Sequence, residues 1–303
     1  MERNPDYAYS SFTEAQHDKF LSIIIPAHNA EHTLGEQLEA LKQQDYQGEW
    51  EIVLVVNRST DNTLCIAQSY QRQFQHLRII DAPEKRGAAY ARNVGVRAAK
   101  GNAFVFCDAD DVASQNWLSM LAEALNRSHV VAGCLDYSAL NYEIPALKLT
   151  RVFGLQPHLD FLPMAITANF AVTRVAFEAV GGFAEDFLMC EDADISWRLQ
   201  LSNYKIATIP AIMHYRQRQT FRSIFRQSIL AGEADAHLYK RFAIHGMPRS
   251  SYRTVWNEYK RLVKKIPLVL TNSDQSRKAI QIRKYGRILG RLIGSIRYRT
   301  FYL

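Results

Sequence analysis

Three clusters in this 303-residue chain have the residue types and spacing to do chemistry. Asp108-Ala109-Asp110-Asp111 directly follows the apolar run Ala103 to Cys107. Carboxylates crowded at a strand end repel one another unless a cation or hydrogen-bond donors compensate. A hard divalent ion, held by one or two of them and by substrate phosphates, would do so; the same loop could also cap the next helix. Glu191-Asp192-Ala193-Asp194 opens an amphipathic helix carrying Trp197 and Leu201. Acids there favour the helix dipole, and one positioned carboxylate could equally take the proton of an attacking hydroxyl. Arg86-Gly87-Ala88-Ala89-Tyr90-Ala91-Arg92-Asn93 begins another helix, a setting that suits a phosphate or simply close helix packing.

The elements that must position these clusters alternate. Apolar, β-branched runs predict strands at Phe20–Pro26, Ile52–Val56, Leu77–Ile80, Ala103–Cys107 and 129–133. Between them, helical spacing appears around Leu34, Leu38 and Leu41, over 61–74, over 87–99, and around Trp117, Leu118, Leu121 and Leu125. This order predicts an α/β fold with a mostly parallel sheet, right-handed crossovers and helices on both faces. Ligands of such sheets collect where loops leave the carboxyl ends of the strands. Residues 136–163 lack periodicity and read as a loop or insertion. A strand at 168–173, a short helix to Val180, the turn Gly181-Gly182, a helix from about Asp192 to Leu201 and a strand at 205–209 then complete the unit.

With 48% hydrophobic and 22% charged residues the chain is globular, which excludes disordered and collagen-like classes. The net charge of +7 is unevenly spread: residues 216–303 hold 20 basic and 4 acidic side chains, whereas residues 1–215 are net acidic. Two surfaces of different purpose are expected. Cys65, Cys107, Cys134 and Cys190 show no metal spacing and read as reduced, mostly buried thiols. The polar stretch 1–19 lacks a signal-peptide core, and no apolar run reaches the ~18 residues that span a bilayer. A cytoplasmic protein is expected, soluble or peripheral on the inner face of the membrane.

Taken together, the motifs resemble the family 2 glycosyltransferases over about Phe20 to Arg218. The resemblance rests on Ser22-Ile23-Ile24-Ile25-Pro26-Ala27-His28-Asn29, Asn57-Arg58-Ser59-Thr60-Asp61-Asn62-Thr63, Arg86-Gly87 through Arg92-Asn93, the acidic run at 108–111, Gly181-Gly182-Phe183 with Glu191-Asp192, and Trp197-Arg198-Leu199. It implies a GT-A fold and transfer of a sugar from a UDP-, GDP- or dTDP-sugar donor to a saccharide or lipid-linked acceptor. The nucleotide-sugar half would run over about 20–135 and the acceptor half over 136–218. Pro26, Ala27 and Asn29 would border the nucleotide, with Asn57, Arg86, Gly87 and Arg92 near base, ribose or phosphate. Asp108-Ala109-Asp110 would be the DxD motif, Asp110 being the direct ligand of Mg²⁺ or Mn²⁺ with Asp108 beside it. His214 could reach the metal or diphosphate, or be structural. Asp192 would be the catalytic base of a single inverting displacement, with Glu191 as the second candidate. Cell-surface polysaccharide, lipopolysaccharide or glycolipid assembly is the implied setting, and a catalytically inactive sugar-nucleotide-binding homologue the alternative.

Two positions depart from the family pattern. Val56 stands where many members place a base-binding Asp, and His28 replaces the usual Tyr. Beyond the resemblance, residues 219–303 form a basic helical extension. Its last helix sets Ile282, Tyr285, Leu289, Leu292, Ile293 and Ile296 on one stripe, flanked by Arg283, Lys284, Arg287, Arg291 and Arg297. Such a helix could lie on an anionic membrane or pack its stripe on the catalytic unit. Nucleic acid is not an expected partner, because the aromatic residues are not interleaved as stacking platforms.

Overall fold

The computed structural model describes residues 19–141, 151–218, 220–249 and 275–302, together with Trp256, Lys260 and Lys264. Apart from Lys19, the expected N-terminal leader lies outside the described residues. The first half alternates as its periodicity predicts: β1 (Leu21–Ala27), α1 (Leu34–Lys42), β2 (Trp50–Val56), α2 (Thr63–Gln71), β3 (Leu77–Asp81), α3 (Ala88–Ala98) and β4 (Ala103–Phe106). A two-residue β5 (Val112–Ala113), α4 (Trp117–Leu125) and β6 (Val130–Asp136) follow.

The sheet order is β3-β2-β1-β4, then β10 (Phe170–Thr173), β6, β11 (Ile206–His214) and β5. Strands β1 to β4 pair in parallel, as does β6 with β11 (Ile206–His214). Alternate residues of the central strands serve opposite cores, because side chains of a strand point to opposite faces. Ile23, Ile25, Ile52 and Leu54 meet Leu34, Leu38 and Leu41 of α1 and Trp117 of α4 on one side. Ile24, Val53 and Val55 meet Ala89 and Val96 of α3 and Ile195 of α6 on the other.

The sheet is not uniformly parallel. Strand β10 (Phe170–Thr173) lies antiparallel between β4 and β6. Its register explains the direction: Phe170 pairs with Phe106 at the carboxyl end of β4 and Thr173 with Ala103 at the other. The chain therefore enters the gap left by the α4 crossover from the carboxyl edge. Buried Asn169 anchors that entry, donating to the carbonyls of Cys134 (3.0 Å) and Ala211 (2.9 Å) and accepting from Trp117 Nε1 (2.9 Å). Residues 136–163 are more ordered than expected, containing β7 (Val152–Phe153) and β8 (Leu155–Gln156), which pairs with β9 (Met164–Ala165); residues 142–150 lie outside the described residues. Strand β11 continues past Ile209 to His214, with a register shift between Thr208 and Ile212. Cys65 is exposed, while Cys107, Cys134 and Cys190 are buried.

After β10 come α5 (Arg174–Ala179), α6 (Glu191–Leu201), β11, α7 (Phe221–Phe242) and α8 (Gln275–Arg297). Trp197 of α6 packs edge-on against Phe242 of α7 at 5.1 Å, and Arg241 reaches Asp194 at 2.7 Å, so the C-terminal helices are seated on α6. Helices α7 and α8 run side by side in the same direction, with Phe225, Ile229 and Glu233 beside Gly286, Gly290 and Gly294. A Cβ at Gly294 would come within 2.6 Å of the Glu233 carbonyl, and one at Gly290 would collide with that of Ile229. The close approach also buries Asp235, which accepts from Arg287 (2.7 Å, twice) and Arg291 (2.8 Å).

Of the two uses expected of the α8 stripe, an anionic membrane or packing on the catalytic unit, this pairing bears on the second, because little of that stripe packs closely against α7. The glycine face does so, and Leu289, Leu292, Ile293 and Ile296 remain 41, 37, 40 and 80% exposed. No helix among the described residues is long and apolar enough to cross a membrane. Gly290→Leu should lower stability by about 2 kcal/mol or more through overpacking. Leu289→Ala, on the exposed face, should stay within about 0.5 kcal/mol. Urea unfolding midpoints of the two variants check this, and equal shifts would contradict the packing.

Candidate active site

The loops at the carboxyl edge of the sheet carry the chemistry. Asp108 to Asp111 follow β4, held from below by buried Gln37 of α1, whose Oε1 accepts from Ala113 N at 3.0 Å. Asp108, Asp110 and Asp111 bring one carboxylate oxygen each within 4.8 Å of one another. Burial and the charge of Asp108 push the Asp110 carboxyl up, and burial with the charges of Asp110 and Asp108 does the same to Asp111. Asp111 Oδ1 accepts from Arg216 N at 2.8 Å, but its buried Oδ2 has no partner. Three converging carboxylates with an orphaned oxygen fit a hard divalent cation, which takes oxygen ligands and offsets the repulsion.

Buried Arg92 of α3 ties this loop to the second acidic cluster. Its Nη2 donates to Asp108 Oδ1 at 2.7 Å and its Nη1 to Glu191 Oε1 at 2.6 Å. Asp194, two residues beyond the expected base, is fully buried and held by Arg198 Nε at 2.8 Å and Arg241 Nη1 at 2.7 Å. Among the described residues, Glu191 and Asp194 of the first turn of α6 have ion-pair partners and Asp192 has none. Its Oδ1 accepts only from Ala193 N. Burial, and then the Glu191 charge, push the Asp192 carboxyl up to about 7. A half-buried carboxylate at the start of α6 is thereby poised to exchange a proton near neutral pH.

The structure places the remaining expected residues as follows. Pro26 and Ala27 end β1 and pair with Val55 and Val56. Asn29, at φ 51°, accepts from Thr60 N at 2.8 Å and so ties the β1 loop to the β2 loop. Asn57 is fully engaged within the protein, donating to the Ala82 and Lys85 carbonyls (2.6 and 2.7 Å) and accepting from Gly87 N (3.1 Å). It shapes the turn that presents Arg86, which is exposed. Gly87 caps α3 at φ 140°, a conformation side chains rarely adopt. Ala109 is buried beneath the acidic loop. Arg92, expected near base, ribose or phosphate, turns its guanidinium to Asp108 and Glu191. His214 lies outside the carboxylate cluster, its Nδ1 3.1 Å from Asp136 Oδ2.

Asp111 joins the cluster as one of the crowded carboxylates expected after β4, whereas sequence reasoning missed Arg216 and Arg218. Arg216 reaches the Asp110 carbonyl and Glu36, and Arg218 lies 3.6 Å from Asp110. Their signal was the Arg-Gln-Arg run directly after β11. Val56 is buried, and the neighbouring strand sets Asp81 beside it in register.

Comparison with known proteins assigns this architecture. The mannosyltransferase PcManGT from Pyrobaculum calidifontis, solved with GDP-Man and Mn²⁺, superposes with a TM-score of 0.61 at 17% identity, covering 91% of this chain and 88% of that one. The chain thus has the GT-A fold of nucleotide-sugar transferases. The family model described as Glycosyl transferase family 2 matches residues 22–181, more than half the chain, and the protein belongs to that glycosyltransferase family. Glycosyltransferase AglE of Haloferax volcanii is 23% identical over 225 residues, 73% of this chain and 74% of its own length. A dolichyl N-acetyl-alpha-D-glucosaminyl phosphate diacetamido-dideoxyglucuronosyltransferase of Methanococcus voltae is 27% identical over 71% of this chain and 72% of its own. Two further curated glycosyltransferases match over only 34 and 62% of their length.

Arg92→Met should lower stability by about 3–5 kcal/mol, because two acids are left without their buried cation. Asp192 carries the opposite sign. With its folded pKa raised to about 7 from an unfolded value of about 4, the native state is favoured at low pH and loses that advantage as pH rises through this window. Asp192→Asn should therefore unfold at a higher temperature than the parent, by a margin that grows from about pH 4 to pH 7. A margin independent of pH in thermal scans would refute the raised pKa.

Proposed function

We propose that this glycosyltransferase moves one sugar from a nucleotide-diphosphate donor to a hydroxyl of a saccharide or lipid-linked acceptor, with inversion at the anomeric carbon. The observation that carries this reading is the isolation of Asp192 among three adjacent acids. Glu191 is neutralised by buried Arg92 and Asp194 by half-buried Arg198 and Arg241, whereas among the described residues Asp192 is left free of ion pairs with an affinity for protons suited to a base at neutral pH. Asp192 takes the proton of the acceptor hydroxyl as the hydroxyl oxygen attacks, and Glu191 is confined to holding Arg92.

On the donor side, Asp108, Asp110 and Asp111 would hold Mg²⁺ or Mn²⁺, which when bound offsets charge on the diphosphate. Arg86, the Gly87 turn and the N-terminus of α3 border the same edge and suit phosphate. Pro26, Ala27 and Asn29 border the nucleotide, and the pairing of Val56 with Asp81 leaves UDP-, GDP- and dTDP-sugars as donors to be compared. The Mn²⁺ and GDP-Man of the Pyrobaculum structure and the dolichyl-linked acceptor in the Methanococcus enzyme's name support this class of chemistry. Intact Asp108, Asp110 and Asp192 favour a working enzyme over an inactive homologue. The catalytic unit occupies about 20–218, with 219–303 as a basic helical extension.

Asp192→Asn should reduce transfer by about 10³-fold while a matching nucleotide still raises the melting temperature with Mn²⁺. Asp110→Ala should remove that metal-dependent rise. The parent's kcat/KM should fall about tenfold per pH unit below roughly pH 7 as Asp192 takes up its proton. Nuclear magnetic resonance of the product should show the anomeric configuration opposite to the donor's; retention would exclude single displacement.

The exposed stripe of α8 favours a membrane setting, on the inner face of the cell membrane. Leu292, Ile293 and Ile296 can enter the interface while Lys284, Arg297 and Arg299 meet anionic headgroups. Co-sedimentation with phosphatidylglycerol vesicles should fall with salt and with Leu292→Asp/Ile293→Asp. Binding that survives both would reject α8 as the contact.

A further inference from the structure

We propose that His158, Cys190 and Asp235 form a second cation site, apart from the carboxylates after β4, that takes a thiolate-preferring divalent ion such as Zn²⁺. His158 lies between β8 and β9, Cys190 directly precedes α6, and Asp235 belongs to α7. An imidazole nitrogen, the sulfur and a carboxylate oxygen of these residues all lie within 4.8 Å of one another. His158 Nε2 stands 3.9 Å from Asp235 Oδ1. A tetrahedral ion with bonds of about 2.0–2.3 Å sets its ligands roughly 3.5 Å apart, so small side-chain movements close the set around one. Three protein ligands leave the fourth position to water.

Each ligand retains the capacity that such an ion uses. His158 Nε2 is buried and has no hydrogen-bond partner. Burial, and then the Arg287 charge, push the His158 imidazole down to about 4, so the ring is neutral at physiological pH. In the tautomer protonated at Nδ1, its Nε2 lone pair is free for a metal. Cys190 is buried, and its sulfur makes no hydrogen bond among the described residues. Burial, and then the charges of Asp192 and Asp235, push its thiol up; the same negative surroundings attract a cation. Binding forms the sulfur–metal bond and releases the thiol proton to solvent. Asp235 Oδ2 accepts from Nε of both Arg287 and Arg291, whereas Oδ1 accepts from Arg287 Nη2 alone and keeps room for a second partner. Donors placed in this way orient a metal-bound carboxylate. Nitrogen and sulfur also separate this set from Asp108, Asp110 and Asp111, which offer oxygen only and suit Mg²⁺ or Mn²⁺. An ion here would join the segment before β9 and the extension to the start of the helix that bears Asp192.

The test titrates the full, reduced chain with Co²⁺, a coloured substitute for Zn²⁺. One equivalent should produce a thiolate-to-cobalt charge-transfer band with the visible absorption of a tetrahedral ion, and Zn²⁺ should bleach both. The carboxylate cluster holds no sulfur, so Asp110→Ala should leave the band intact. Cys190→Ser should abolish it, and Cys65→Ser, which removes the exposed thiol, should not. His158→Gln keeps the cysteine and should weaken Co²⁺ about tenfold or more, as loss of even an outer partner of a ligand does. Zn²⁺ should raise the melting temperature of the Asp110→Ala protein and not that of Asp110→Ala/Cys190→Ser. The inference is overturned by a parent that shows no thiolate band in excess Co²⁺, by a band that survives Cys190→Ser or vanishes with Cys65→Ser, or by equal Co²⁺ affinity in parent and His158→Gln. None of these readouts uses a sugar nucleotide, so the result stands whether or not the transferase reading does.

Discussion

The buried guanidinium of Arg92 is the interaction on which the rest of the site depends. It joins Asp108 to Glu191, residues 83 positions apart in the chain that belong to the acidic loop after β4 and to the helix bearing the proposed base. Two carboxylates and one guanidinium in a protein interior are costly to desolvate, and only their mutual contacts make the arrangement stable. The same contact sets how far Asp192 stands from the acidic loop, because the α6 helix starts where Glu191 is held.

Around that bridge the acids are sorted by what neutralises them. Asp194 belongs to a frame of Arg198 and Arg241 that also joins α6 to the extension, and Glu191 belongs to Arg92. Asp192 and the trio after β4 are left with excess negative charge. Uncompensated carboxylates oppose folding, so their presence at the carboxyl edge is a cost that substrate, proton or cation can offset. Chemistry and instability share one origin here.

The C-terminal helices show a division of labour within single elements. One face of α8 is glycine and approaches α7 closely enough to bury Asp235 between two arginines. Another keeps its aliphatic stripe outward, and the N-terminal part of α7 keeps Arg222 and Arg226 exposed. A basic balance that is diffuse along the sequence becomes, in three dimensions, partly internal scaffold and partly available surface.

The sequence by itself determined the alternation of strands and helices, the strand end at which Asp108 emerges, and the family that those motifs mark. These follow from local periodicity and from residue order, which a linear reading contains. Whether a polar side chain is free or already engaged depends on partners distant in sequence, and this only the tertiary structure decided. Asn57 is consumed by the turn at residues 82 to 87, Arg92 by two acids, and His214 turns to Asp136, while Asp111, Arg216 and Arg218 gather at the donor loop. The antiparallel insertion of β10 and the outward stripe of α8 were hidden for the same reason. A strand's direction is set by the edge from which the chain enters the sheet, and a helix buries whichever face its neighbour can approach most closely.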